Sequence, residues 1–166
     1  MDRSHRLAFG IAALVVLLDR LTKAVIKVSV SAWETYVVIP NFLNIVHSEN
    51  RGAAFGLLAD AGAEWRGFVL IGLSLVVMVF VGSLLWQSAR PGGGSRSLRT
   101  GLALMLGGAL GNLYDRLAEG SVTDFLQFYL GSYEWPAFNV ADSAISIGAG
   151  LLLVDLVRHR RQPVRT

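Results

Sequence analysis

The chain of 166 residues has no cysteine. Disulfides, thiolate metal sites and a cysteine nucleophile are therefore excluded. Charge is scarce as well: 16% of the residues are Asp, Glu, Lys or Arg, where a soluble domain carries roughly a quarter. The three histidines, His5, His47 and His159, lie outside the apolar runs and match no metal-ligand spacing, which argues against a metal and against any cofactor held by one. Lysine is limited to Lys23 and Lys27, so a Ser/Lys hydrolase would need one of them beside a serine such as Ser143. Ser74, in "GLSL", lacks the second glycine of a nucleophile turn and has no histidine in the apolar runs to serve it. What remains is abundant: 53% of the chain is apolar and its mean hydropathy is +0.51. The composition describes one integral membrane domain spanning residues 1–166.

Four segments approach the roughly 20 residues that an α-helix needs to cross about 30 Å of hydrocarbon. They are about 7–28, 68–86, 98–117 and 139–157. The opening "MDRSHRLAFGIAALVVLL" has the outline of a secretory signal, but residues 19–27 are too charged to precede a cleavage site, and it is read as the first span. Basic residues collect on the cytoplasmic side of a membrane. Arg3 and Arg6 precede the first span, Arg90, Arg96 and Arg99 surround the linker "ARPGGGSR", and Arg158, Arg160, Arg161 and Arg165 follow the last. Four spans put these nine of the fifteen basic residues on one side, with both termini in the cytoplasm. The sequence pI near 9.7 then fits an anionic bilayer face better than nucleic acid. Two segments are left outside, about 29–66 and 118–138. The first, with "TYVVIPNFLNIVHSENRGAAFG", reads as short strands and turns. The second, with "DFLQFYLGSYEWPAF", reads either as an interfacial aromatic belt or as part of a β-rich platform over the bundle. Small residues at Gly107 and Gly111, and at Ala144 and Gly148, have the spacing of close helix packing.

Acids inside membrane spans cost at least a few kcal/mol and need a partner or a role. Asp155 sits one turn before Arg158, in position to pair or snorkel. Asp19 and Lys23 are spaced i,i+4 with the acid first, the favourable order for a pair, while Arg20 points to another face. The spacing leaves structural and substrate-side roles open. Asn112, Asp115 and Arg116 share one face of the third span. Asp115 and Arg116 are adjacent, so their heads diverge and each needs its own partner. Asp124, in "GSVTDF", and Asp142, one turn into the fourth span, both map to the outer surface, and neither has a basic residue within four positions. Two facing carboxyls would share one proton, the ionised member taking a proton from water while the protonated member polarises a carbonyl. Two unrelated interfacial acids would give the same spacing. A small proton-coupled transporter is the alternative reading, and it expects polar groups spread through the membrane depth. Here they crowd toward the outer third.

Five segments in order, "DRLTK" (19–23), "ENRGAAFG" (49–56), "GGALGNLYDRL" (107–117), "VTDF" (122–125) and "FNVADSAI" (138–145), resemble the lipoprotein signal peptidases, or signal peptidase II, of bacterial inner membranes. The resemblance covers nearly the whole chain. It implies a four-helix membrane aspartic endopeptidase that cuts diacylglyceryl-modified prolipoproteins before the lipid-bearing cysteine, at the outer membrane face; no metal or cofactor is expected, and since nothing in the sequence demands an oligomer a monomer is expected. It places the catalytic dyad on Asp124 and Asp142, and substrate-holding or orienting roles on Asp19, Lys23, Asn50, Asn112, Asp115, Arg116 and Asn139. The chain departs from the family's usual form at Arg20, where Gln is usual, and at Arg51, where Thr is usual. The Gly- and Ala-rich stretch 51–65 is expected to move as a lid.

Overall fold

The structure, a computed structural model, describes residues 3–32, 34–52, 63–90 and 92–160. Four long helices, α1 (Arg3–Ser29), α2 (Ala63–Ser88), α3 (Arg96–Glu119) and α4 (Val140–Arg160), alternate with four strands, β1 (Thr35–Ile39), β2 (Leu43–Asn50), β3 (Val122–Leu130) and β4 (Tyr133–Glu134). Long apolar runs without internal proline let each helix continue to its cap. The start of α3 is fixed by Ser95, whose hydroxyl accepts from Leu98 N at 3.0 Å. Its end is fixed by Gly120, whose φ of 74° is left-handed and turns its N–H back to the Arg116 carbonyl, as C-terminal glycines commonly do. Two helical stretches, Gly67–Ser88 and Val140–Arg158, are apolar and long enough to cross a membrane by length and composition.

Helix α3 is central and packs against α1, α2 and α4. Closest approach occurs where α3 has no side chain. A Cβ at Gly108 would lie 2.4 Å from the Ala141 carbonyl oxygen of α4, and one at Gly111 would lie 2.6 Å from Asp19 Oδ2 of α1. Backbones drawn this near are the usual consequence of small residues at a helix interface. Toward the arginine-bearing ends the core is apolar, built from Ala8, Ala12, Val81, Leu85, Leu102, Ala103 and Leu106.

The strands form one antiparallel sheet in the order β1-β2-β3-β4. Asn41, with φ of 59°, turns β1 into β2, and Gly131, with φ of 63°, turns β3 into β4. Ile26 and Val30, at and just past the end of α1, bury against Phe125 of β3 and Ile45 of β2. That contact seats the sheet on the end of the bundle opposite the arginines. The segment 29–66, read from sequence as strands and turns, supplies β1 and β2, and 118–138, left open between an aromatic belt and a β-rich platform, supplies β3 and β4. Residues 53–62, which include most of the expected lid, lie outside the described residues.

Candidate active site at the acidic end of the bundle

On α1 the buried residues run His5, Ala8, Ala12, Val15, Asp19, Lys23 and Ile26, a stripe at helical spacing that turns from apolar to charged. Lys23 and Asp19 are fully buried. The Lys23 ammonium donates to Asp19 Oδ2 at 2.8 Å and to Asn112 Oδ1 at 3.0 Å, and it pairs with Asp115 Oδ2 at 2.6 Å. The ammonium thus makes two hydrogen bonds and, with Asp115, an ion pair. Arg20 donates to the other oxygen of Asp115 and lies over the Tyr114 ring, 4.2 Å from its centre. Expected from sequence to point elsewhere, Arg20 turns to α3 because a guanidinium on a long stem reaches where helical spacing does not show it. Asp155 accepts from Ser95 Oγ across the α3–α4 seam.

Asp19 extends the network to α4. Its Oδ1 accepts the backbone N–H of Ala141 at 3.0 Å, a first-turn donor that α4 leaves without an intrahelical partner. The same turn carries a reciprocal cap: Asn139 Oδ1 accepts from Asp142 N at 2.9 Å, and Asp142 Oδ2 accepts from Asn139 N at 3.3 Å. This is a capping box with Asn and Asp in the two roles. It fixes the Asp142 side chain at the positive end of a helix dipole. Asn112 then donates to Asp142 Oδ1 at 2.7 Å.

Asp124 arrives from the sheet. Asn50 pairs with Val122, so Asp124 is its diagonal neighbour on the same face. Asn50 Nδ2 donates to Asp124 Oδ2 at 3.0 Å and Asn139 Nδ2 donates to Asp124 Oδ1 at 2.6 Å. Asn139, fully buried, therefore touches both acids. Burial, and after it the charge of Asp142, push the Asp124 carboxyl up to about 7, while the two amide donors pull it down. The register beside it is held by Glu49, a residue that the sequence reading quoted without assigning a role. Its carboxylate accepts from Ser121 at 2.7 Å and Thr123 at 3.0 Å. Burial works to raise its carboxyl, but these hydrogen bonds and that of His47 hold it below the usual carboxylate range. The signal was its place next to Asn50, opposite Thr123 once the strands pair.

Both acids, with Asn50, Asn112 and Arg116, line a cavity of about 970 Å³. Its remaining walls are largely apolar: Leu73 and Val77 of α2, Ile145 and Ile147 of α4, and Phe128, Trp135 and Phe138 from the sheet region. Arg116 also donates to the Asn112 carbonyl at 3.4 Å. All nine residues named from the sequence thus fall in one connected cluster. Asp124, Asp142, Asn50, Asn112 and Arg116 face the cavity, Asn139 bridges the two acids, and Asp19, Lys23 and Asp115 lie behind as a buried ionic layer. Among the described residues, no three histidine or acidic side chains converge as metal ligands.

Comparison with known proteins places this arrangement in context. A family model described as signal peptidase (SPase) II matches residues 11–158. A lipoprotein signal peptidase of Solibacter usitatus is 50% identical over 155 residues, covering 93% of each chain. One from Cupriavidus taiwanensis is 48% identical over 151 residues, 91% of this chain and 82% of that one. Among solved structures, a bacterial membrane enzyme determined by the in meso method at 2.3 Å resolution superposes with a TM-score of 0.81 at 28% identity, over 96% of this chain and 92% of the other. Neither the family nor these relatives is a carrier, and the transport reading finds no support.

Proposed function

The chain belongs to the signal peptidase II family, and we propose that it is a membrane aspartic endopeptidase that removes signal peptides from diacylglyceryl-modified prolipoproteins, cutting before the lipid-bearing cysteine. The observation that carries the mechanism is the asymmetry of the acid pair. Asp124 is buried, bears the raised carboxyl and holds the proton. Asp142 stands at a helix N-terminus, accepting from Asn112 and from the Asn139 backbone, and takes the role of the base. Asp142 takes a proton from a water whose oxygen attacks the scissile carbonyl, and Asp124 gives its proton to the carbonyl oxygen as charge develops there. The tetrahedral intermediate collapses with proton transfer to the leaving amine, and the C–N bond breaks.

The apolar walls of the cavity suit a substrate with lipid on one side of the cut and an apolar helix on the other. We read all four helices as membrane spans of the bacterial inner membrane, with both termini cytoplasmic and the acid pair at the outer face. Asn50 and Arg116 are in reach of the bound peptide. Asp19, Lys23, Asn112, Asp115 and Asn139 orient the pair.

The test is cleavage of a lipidated precursor in detergent. The wild-type protein releases signal peptide, while Asp124→Asn and Asp142→Asn each lose about 10⁴-fold or more and still accumulate in the membrane. Turnover retained by either variant overturns the dyad.

A further inference from the structure

A second cavity opens at the other end of the bundle. It has a volume of about 450 Å³ and lies between the first turns of α1 and α3, within the range of roughly 300–1,000 Å³ common for small-molecule sites. Its lining includes Arg3, Leu7 and Ile11 from α1 and Arg96, Arg99 and Thr100 from α3. Arg96, Arg99 and Thr100 are spaced i, i+3 and i+4, so they share one helix face, as do Arg3, Leu7 and Ile11. Among the described residues, no acidic side chain lines the cavity. None of the three guanidinium groups has a hydrogen-bond or ion-pair partner among the described residues. The nearby acid of α4, Asp155, is engaged by Ser95 and is not part of the lining. The depth is marked by Trp86, at the end of α2, whose ring lies 4.7 Å from that of buried His5, two residues beyond Arg3. Tryptophan concentrates at that level of a bilayer, where one edge of the ring is wet.

We infer that this cavity is a binding site for an anionic phospholipid of the leaflet opposite the acid pair. The three arginines take the phosphodiester, with Thr100 adding a hydroxyl donor, because a planar guanidinium matches phosphate oxygens in pairs. One acyl chain runs along Leu7 and Ile11, which carry the apolar face of α1 roughly 12 Å from Arg3 toward the bilayer centre. Such a lipid ties α1 to α3, the two helices that supply Asp19, Lys23, Asn112 and Asp115, at their far ends. The inference rests on the chain crossing a bilayer and is independent of the peptidase mechanism.

It is tested on the full-length protein, delipidated in detergent and weighed intact with bound lipid by native mass spectrometry. Phosphatidylglycerol is retained in one copy, roughly a hundredfold more tightly than zwitterionic phosphatidylcholine, since each basic side chain near the headgroup contributes about a factor of five. The triple variant Arg3→Gln/Arg96→Gln/Arg99→Gln loses that preference. The equally charged control Arg6→Gln/Arg90→Gln/Arg158→Gln, at the same end of the bundle but outside the cavity, keeps it. Leu7→Trp, which leaves the arginines and obstructs the chain groove, also lowers retention, so the site stays testable if the triple variant does not fold. Equal retention by the cavity variant and the wild type, equal loss in cavity and control variants, or competition by soluble glycerophosphoglycerol as effective as by the lipid each overturns the inference.

Discussion

The helices that build the candidate active site are two different interiors at their two ends. Where α1 and α2 meet the first half of α3, everything in the buried cluster is apolar: Ala8, Ala12, Val81, Leu85, Leu102, Ala103 and Leu106. Past Gly111 the same faces bury Asp19, Lys23, Asn112 and Asp115, and the residue that caps α4, Asn139, joins them. Lipid is as apolar as these side chains, so packing them together gains little from the hydrophobic effect, and the first interior is held chiefly by shape and contact, with the Ser95–Asp155 bond across its edge. The second is held by pairing, in which two acids face one ammonium and one guanidinium. Shape tolerates approximate substitution, whereas a buried charge without its partner does not. The proposed chemistry sits in the interior whose parts are least exchangeable, and rigid supports of this kind keep the Asp124 and Asp142 carboxyls in place.

The sharpest way to break the contrast is to remove the shared cation. Lys23→Met leaves Asp19 and Asp115 facing each other with only Arg20, at the edge, in compensation. Breaking a buried ion pair in this way costs about 3–5 kcal/mol. Thermal unfolding in detergent checks this, and a variant that melts like the wild type refutes the pairing account. Leu102→Ala probes the other interior, at a position 1% exposed. The lost contacts and residual cavity cost about 2 kcal/mol, the low end of the range for water-soluble cores, because the transfer contribution is weak in lipid. Cleavage per folded molecule stays within about twofold, and a larger drop would mean that the two interiors are not separable.

The pH profile sharpens the same division. Asp124 is an acid whose folded pKa is raised, from 3.8 to about 7. Its proton is therefore held below that value and lost above it. Cleavage that requires this proton falls about tenfold per unit once the pH passes about 7. Asn50→Ala removes a donor that favours the ionised form, so the midpoint moves to higher pH. Leu102→Ala leaves the midpoint where it was. A wild-type profile flat to pH 9 would remove the proton from the mechanism.

Much of this division was legible in the sequence. Helical spacing alone puts Asp19 with Lys23, and Asn112 with Asp115, on single faces, and the apolar runs bound the helices to within a few residues. The Asn139–Asp142 cap is a short-range pattern of the same kind. What spacing could not reach were partners brought together by packing. Asn139 touching both acids depends on where β3 returns to α4, and Glu49 gains its role only when β2 and β3 pair. The orientation of Arg20 was missed for the same reason: its partner is 95 positions away, on the helix whose glycines let α1 approach.

Arg20 also supplies the smallest expected effect. It reaches Asp115 from the edge of the network, with a side chain 29% exposed, and Asp115 keeps Lys23 when Arg20 is removed. Part of the pair is therefore screened, and the net contribution of an ion pair in such a position is about 0.5–1 kcal/mol. Contact with the Tyr114 face adds about as much at an exposed site. In Arg20→Gln the amide keeps a donor for Asp115 and loses the charge. Melting temperature should drop by a few degrees at most, and cleavage should be nearly unchanged, because neither Asp124 nor Asp142 touches Arg20. If Arg20→Gln instead approaches Lys23→Met in its cost, the edge of the network is as indispensable as its centre, and the ionic layer must be treated as one cooperative unit rather than a buried pair with a surface brace.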